Sequence, residues 1–145
     1  MTNIVIEPAS PRERDAVLDL LADQRLPTAG LSEHWETTLV ARSGERVVGS
    51  AALELYGPGA LLRSVAVAGD SRGHGLGRAL THAALELAAR RGVSELFLLT
   101  TTAEDFFPKF GFQPIARAEV PEAVRQSIEF TAACPSSATV MRKRL

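Results

Sequence analysis

Three glycines stand at alternate positions in "DSRGHGLGRAL" (residues 70–80), where an apolar run ends and a helical pattern begins. Glycine costs roughly 1 kcal/mol relative to alanine inside a helix. One glycine is enough for a loop that merely turns a strand into a helix. Three do something more: they let a ligand come close to the main chain. The first amides of a helix have no intrahelical acceptor, and the helix dipole adds partial positive charge there. With Cβ atoms removed, successive N–H groups form a concave nest that suits a phosphate. Arg72 and Arg78 flank the turn and can add charge-assisted contacts.

The elements on either side narrow the choice of ligand. Residues 3–9 read as an opening strand, and Ser10 with Pro11 starts a helix running to about Gln24. Residues 25–36 are irregular around Pro27 and Gly30, with room for a short helix. Residues 37–42 and 46–56 read as a hairpin, and residues 57–59 force another turn before a largely apolar strand, 60–68. After the glycine turn come a helix from about Gly75 to Arg90 and a buried strand over 92–100. A short helix ended by Gly111 and a strand follow, then a helical candidate at 121–130 and a closing strand at 137–145. This order predicts an α+β fold, a mixed and mostly antiparallel sheet of six to seven strands flanked by helices, in a single domain spanning 1–145. Gly73-x-Gly75-x-Gly77 lacks the Gly-Lys-Ser/Thr of a Walker loop. A Rossmann turn follows the first strand of a parallel unit, and here antiparallel strands come first. Both nucleotide readings fail.

Composition closes off further classes. A net charge of −1 gives no general pull toward nucleic acid or anionic lipid. The apolar runs are far below membrane-spanning length, and the amino terminus shows no signal-peptide pattern, so a cytoplasmic location is expected. One cysteine, Cys134, cannot form an internal disulfide, and three scattered histidines give no metal-ligand spacing.

"LLRSVAVAGDSRGHGLGRALTHAALELAARRG" resembles the core of the GNAT acetyltransferases, whose signature Arg/Gln-x-x-Gly-x-Gly/Ala reads here Arg72-Gly73-His74-Gly75-Leu76-Gly77. The likeness continues through "LFLLTTTAEDFFPKFGF" and fits the element order over nearly the whole chain. It implies that Arg72, Gly73, His74, Gly75, Leu76, Gly77 and Arg78 hold the pyrophosphate of acetyl-CoA, with the His74 side chain facing solvent. It further implies that strand 60–68 splays from strand 94–100. Pantetheine then adds beside Val65, Ala66 and Val67 like an extra strand, with a backbone N–H there, Val65 first, as oxyanion donor. "VPEAVRQSIEF" and "CPSSATVM" add a likeness to small GNATs of arsenic-resistance operons and to the acetyltransferase domain of N-acetylglutamate synthases. Those relatives imply a small amino-acid-like amine as acceptor; the family's frequent dimers imply a homodimer, and the charge balance gives no nucleic-acid or membrane partner.

The chemistry implied is direct attack of the amine on the thioester. Many relatives place a tyrosine four residues before the glycine of "GF" to protonate the departing sulfur; here that position is Phe107, and the chain's one tyrosine is Tyr56. Water, or Tyr56 from across the cleft, can take that role. Strand alternation puts Leu61, Arg63, Val65 and Val67 on one face. A four-residue loop at 57–60 sets Tyr56 opposite Leu61 and Glu54 opposite Arg63. Arg63 within an apolar strand is either a structural salt bridge or a clamp for an anionic acceptor, with Glu54 orienting it or accepting the amine proton through water. His34, in the irregular segment, is a candidate base or a solvated loop residue. Thr100 and Thr101 either meet the substrate or cap the strand end. His82 reads as an ordinary helix residue and Cys134 as packing, since no base adjoins it. A peptide or protein N-acetyltransferase and a non-catalytic acyl-CoA-binding module are the alternatives.

Overall fold

The computed structural model describes residues 3–145. β1 (Ile4–Pro8) leads through a short turn into α1 (Arg14–Asp23), which buries Val17, Leu20 and Leu21. The start of that turn is closed by the Ser10 amide, which donates to Glu13 Oε1 at 2.8 Å. A 3-10 segment (Leu31–Thr37) precedes β2 (Thr38–Ser43), β3 (Arg46–Tyr56) and β4 (Gly59–Val67). Next come α2 (Leu76–Arg90), β5 (Glu95–Thr100) and β6 (Gln113–Ile115), then α3 (Glu122–Arg125) and β7 (Thr139–Arg144). The sheet has seven strands in the order β1-β2-β3-β4-β5-β7-β6. Every neighbouring pair is antiparallel except β4 and β5, which the α2 crossover makes parallel. This is the mixed sheet flanked by helices that the pattern predicts.

The β4–β5 pairing is short. It runs through Gly59↔Glu95, Ala60↔Leu96 and Leu61↔Phe97 and then stops. From there each strand follows its outer neighbour. β5 stays paired with β7 as far as Thr100↔Thr139. β4 stays with β3, and the β3–β4 register shifts between Ser50 and Ala52. Opposite that shift Ser64 takes φ 60°, unusual for a residue with a side chain. An extra residue in one strand bends it and adds local twist. The two central strands therefore open into a wedge.

Two expectations about this region need correction. The β3–β4 loop has two residues, Gly57 and Pro58, rather than four: Tyr56 pairs with Gly59 and Glu54 with Leu61, while Arg63 faces Ala52. Gly57 takes φ 77°, the positive φ that tight hairpins favour at the first turn position. Gly59 belongs to the strand, where a Cβ would lie 3.0 Å from Val124 Cγ2. Because the loop is shorter by an even number of residues, Glu54 and Arg63 still share a face, as diagonal neighbours. The single face proposed for Leu61, Arg63, Val65 and Val67 is broken at Ser64: past the shift, Ala66 stands opposite Ser50. The helical candidate at 121–130 is also different. It is one α-helical turn at 122–125 followed by a π-type turn, Glu129–Ala133.

Candidate functional site

The glycine turn owes its shape to two residues and its packing to the third. Gly73 and Gly75 take φ 86° and 73°, in the left-handed region that disfavours a side chain, and a Cβ at either would meet nothing within 4 Å. Gly75 is the N-cap of α2, and the first intrahelical bond runs from the Ala79 amide to the Gly75 carbonyl at 3.0 Å. No side chain caps this end and no acidic residue lies in its first turn. The amides of Leu76, Gly77 and Arg78 thus precede the helix's own hydrogen-bond ladder at its positive end. At Gly77 a Cβ would sit 3.6 Å from Phe106 Cζ and 3.8 Å from Val67 Cγ2, so a methyl fits but little more. Arg72 donates from Nε to the Val67 carbonyl (3.3 Å) and from Nη2 to Gln24, bridging the turn to the opposite lip. The Arg78 guanidinium lies over the Phe110 ring, 5.8 Å from its centroid. The His74 residue is exposed.

This turn forms one end of a cleft of about 840 Å³ that fills the wedge between β4 and β5. Residues 62–67 make one wall and 98–103 the other; residues 24–27 and 133–135 lie along the rim. Past Leu61 the β5-facing edge of β4 has no strand partner, so Val65, Ala66 and Val67 border the opening along an unpaired strand edge. Thr100 and Thr101 line the far wall, and Thr100 Oγ1 accepts a hydrogen bond from the Ala103 amide at 2.9 Å, capping the turn. Phe107 lines the cleft without a hydroxyl, its ring 5.1 Å from that of Phe106 and 5.8 Å from that of Phe112. His82 packs its ring against Phe110 at 5.2 Å, consistent with an ordinary helix residue.

Below this wedge lies a buried charge cluster. The Arg63 side chain is 0% exposed, Glu54 1% and Glu129 5%. Arg63 Nη1 donates to Glu54 Oε2 (2.8 Å) and to the Ala29 carbonyl (2.8 Å), and Nη2 to the Pro27 carbonyl (3.1 Å). Its Nε donates to Ser64 Oγ at 3.2 Å and stands 3.3 Å from Glu129 Oε2. The guanidinium is thus turned inward onto protein acceptors. That is the geometry of the structural salt bridge among the two readings, although Arg63 also borders the cleft. Glu54 also accepts from the Tyr56 hydroxyl at 2.5 Å, and His34 Nε2 lies 3.7 Å away. Burial alone would raise Glu54, but hydrogen bonds from Ser127, Tyr56 and Arg63 hold its carboxyl below the usual range. Burial, together with the Glu54 carboxylate, pushes the Tyr56 phenol well above its ordinary value.

Glu54 and Tyr56 come together on one face as the strand pattern predicts, with His34 beside them, but none of the three lines the cleft. The Tyr56 hydroxyl is engaged by Glu54 and its side chain lies outside the cleft lining. The tight turn leaves it in line with Glu54 on the buried face.

Two residues passed over in the sequence do line the cleft. Arg25, at φ 59°, has no side-chain hydrogen bond or ion pair among the described residues. Glu129 begins the π-type turn and points into the cluster. Burial raises its carboxyl to about 7, against the lowering effect of Arg63, and Glu54 adds to the rise. Burial and Glu129 together push the neighbouring Cys134 thiol up to about 12, so it stays protonated. Arg25 gave no signal in sequence. The signal for Glu129 was a carboxylate set between Ile128 and Phe130 in an apolar run.

Comparison with known proteins agrees with this geometry. Residues 34–114 match a family model described as an acetyltransferase (GNAT) domain. An uncharacterised N-acetyltransferase of Chlorobaculum tepidum is 32% identical over 93 residues, which make up 63% of this chain and 59% of that protein. N-acetylglutamate synthase of Neisseria gonorrhoeae, solved with coenzyme A and N-acetyl-glutamate, superposes with a TM-score of 0.84 at 21% identity. That match covers all of this chain and only 36% of the synthase. Rv2747 of Mycobacterium tuberculosis, solved in complex with CoA, superposes with a TM-score of 0.82 at 24% identity, over 97% of this chain and 99% of that one. With the family signature on a glycine turn at the end of a β4–β5 wedge, and more than half the chain within the family match, this protein belongs to the GNAT acetyltransferase family.

Proposed function

We propose that the chain is an acetyl-CoA-dependent N-acetyltransferase that acylates the amine of a small amino-acid-like molecule. One observation carries the reading. An uncapped, glycine-lined helix start sits at the end of a cleft walled by an unpaired strand edge. The two features suit the two parts of one ligand, a diphosphate and an extended amide-bearing arm. In this reading the amides within 72–78 grip the pyrophosphate, and Val65, Ala66 and Val67 pair with the arm. A backbone N–H at Val65 or its neighbours meets the developing oxyanion. The bound thioester supplies the acetyl group.

With Phe107 at the wall, no side-chain acid is needed: a thiol of pKa about 8.5 leaves tolerably as its anion. The acceptor enters over residues 24–27 and 133–135, where Arg25 can meet an anionic group while Arg63 braces the floor. Thr100 and Thr101 lie within reach of either substrate. An amino acid or analogue fits this entrance, including the analogues implied by the likeness to arsenic-resistance enzymes. A cytoplasmic setting and a homodimer complete the proposal; no helix among the described residues is long and apolar enough to cross a membrane.

Phe107 favours a second reading, a non-catalytic acyl-CoA-binding module. A thiol-release assay over the protein amino acids and short peptides separates them. Release of CoA with one or a few free amino acids supports the enzyme. Acetyl-CoA binding without release for any acceptor supports the module, and release with peptides alone moves the substrate class to protein amino termini.

A further inference from the structure

The buried cluster under the cleft is unbalanced in charge. Apart from His34 Nε2, 3.7 Å from Glu54, it holds one arginine against two carboxylates, and the arginine is committed to one of them. Glu54 receives Arg63 Nη1 at 2.8 Å and the Tyr56 hydroxyl at 2.5 Å. Glu129 has Arg63 Nε at 3.3 Å as an ion-pair contact, while that N–H donates to Ser64 Oγ at 3.2 Å. The Cys134 thiol also donates to it. A carboxylate taken out of water with so little compensation needs a proton or a cation beside it. Glu129, unlike Glu54, also lines the cleft, along with Val65, Ala66, Thr100 and Ala138.

We propose that Glu129 is the carboxylate that receives the acceptor's ammonium group in the cleft and takes one proton from it. The inference rests on the acetyltransferase reading and names the base for that same site. A cation arriving at Glu129 restores charge balance to the cluster, so the site selects for a protonated amine on grounds of charge alone. The transfer is simple in its atoms. One N–H bond of the ammonium breaks, an O–H bond forms on Glu129, and the nitrogen keeps the electron pair. That pair bonds the thioester carbonyl carbon, the C–S bond breaks with its electrons going to sulfur, and the second nitrogen proton passes to the thiolate.

Burial holds Glu129 near 7 while Arg63 draws it down and Glu54 pushes it up, with the Cys134 thiol lowering it further. A base of that strength is deprotonated in a useful fraction at neutral pH, yet far stronger than an ordinary carboxylate. The charged and titratable groups around it are Arg63 and Glu54 across the cluster and Cys134 beside it, with Arg117 acting on Cys134. The setting is a π-type turn, a conformation that is rare and frequent at functional sites.

The test compares the wild type with Glu129→Gln and Glu129→Asp. Carbon-13 NMR of labelled glutamate side chains, in protein saturated with CoA, reads the titration of Glu129 as the resonance lost in Glu129→Gln. The expected midpoint is near pH 7, moving down by about one pH unit or more on adding ethylammonium chloride. With the amino acid found active in the thiol-release assay, kcat/KM falls at least about a hundredfold in Glu129→Gln. The acidic limb of the pH profile disappears, Glu129→Asp keeps part of the rate, and acetyl-CoA affinity stays within about twofold. A midpoint in the ordinary carboxylate range that ethylammonium leaves unmoved overturns the proposal. So does a Glu129→Gln enzyme with the wild-type rate and pH limb. Failure of the acetyltransferase reading looks different: the wild type releases no CoA with any amine, and the NMR titration still decides whether Glu129 meets an ammonium.

Discussion

Leu61 pairs with Phe97, and it is the last residue of β4 to find a partner on β5. Everything the site can do follows from that stop. A longer ladder would close the wedge, and the unpaired edge at Val65, Ala66 and Val67 would be an ordinary strand interior. The glycine turn at the end of the same strand then presents its amides to whatever lies along the edge.

Substitutions in the turn should separate conformation from packing. Gly75→Val places a branched side chain at a left-handed φ, a strain of about 1–2 kcal/mol, and puts its bulk where a phosphate approaches. Acetyl-CoA affinity, read by calorimetry, is expected to fall at least tenfold with a modest loss of Tm. Gly77→Ala adds a methyl at ordinary contact distance from Phe106 and Val67 and should leave affinity within about threefold. Equal losses in both variants would mean that the amides of this turn do not carry the binding.

Arg25 and Arg63 are expected to behave oppositely. Arg63→Ala leaves Glu54 and Glu129 facing one another in a buried space, a loss of about 3–5 kcal/mol by analogy with broken buried pairs, seen as a large drop in Tm. Arg25→Ala removes a side chain with no hydrogen bond or ion pair among the described residues, so Tm should hold. With an anionic acceptor, KM is expected to rise about tenfold or more while kcat changes little. Unchanged acceptor kinetics in Arg25→Ala would remove it from the site.

Glu129 also shapes stability. Its carboxyl is raised from 4.5 to about 7 in the folded chain, so between those values the folded state holds more protons than the unfolded one. Stability should therefore fall as pH rises from about 4.5 to 7 and stay lower above that. Glu129→Gln removes this penalty, on the order of 3 kcal/mol, and should melt higher than wild type at pH 8 while losing activity. A lower Tm at pH 8 would show the carboxylate to be stabilising instead.

Phe107 offers a gain-of-function test. Phe107→Tyr brings a hydroxyl to the cleft wall, where it can protonate a departing thiolate. An increase in kcat of about tenfold, largest below the thiol's pKa, is expected if thiolate departure limits the rate. No change in kcat means that the amine's attack, or its deprotonation, is the slow step.

Much of this was legible in residues whose local chemistry leaves few choices. Gly73 and Gly75 announce positive φ, and the helix after them announces its apolar face, so the turn and α2 could be read directly. The order of strands around the crossover gave the mixed sheet. Loop length was harder: in "GPG", Gly59 reads as a breaker but lies in β4, where a Cβ would press on Val124 Cγ2 at 3.0 Å. The shift at Ser64 left no trace, since nothing in "LLRSVAV" marks a serine for a left-handed conformation. The inward turn of Arg63 depends on the carbonyls of Pro27 and Ala29, more than thirty residues distant, and such pairings have no local signal. Glu129 escaped notice because a π-type turn follows neither helical nor strand periodicity.

The most direct measurement is isothermal calorimetry of the purified protein with acetyl-CoA, beside a parallel titration with pantetheine that lacks the diphosphate. Saturable one-to-one heat for acetyl-CoA, and binding weaker by at least a hundredfold for pantetheine, is the expected result. Absence of heat from any coenzyme A derivative, or equal affinity for the two, would contradict an anion grip at the start of α2.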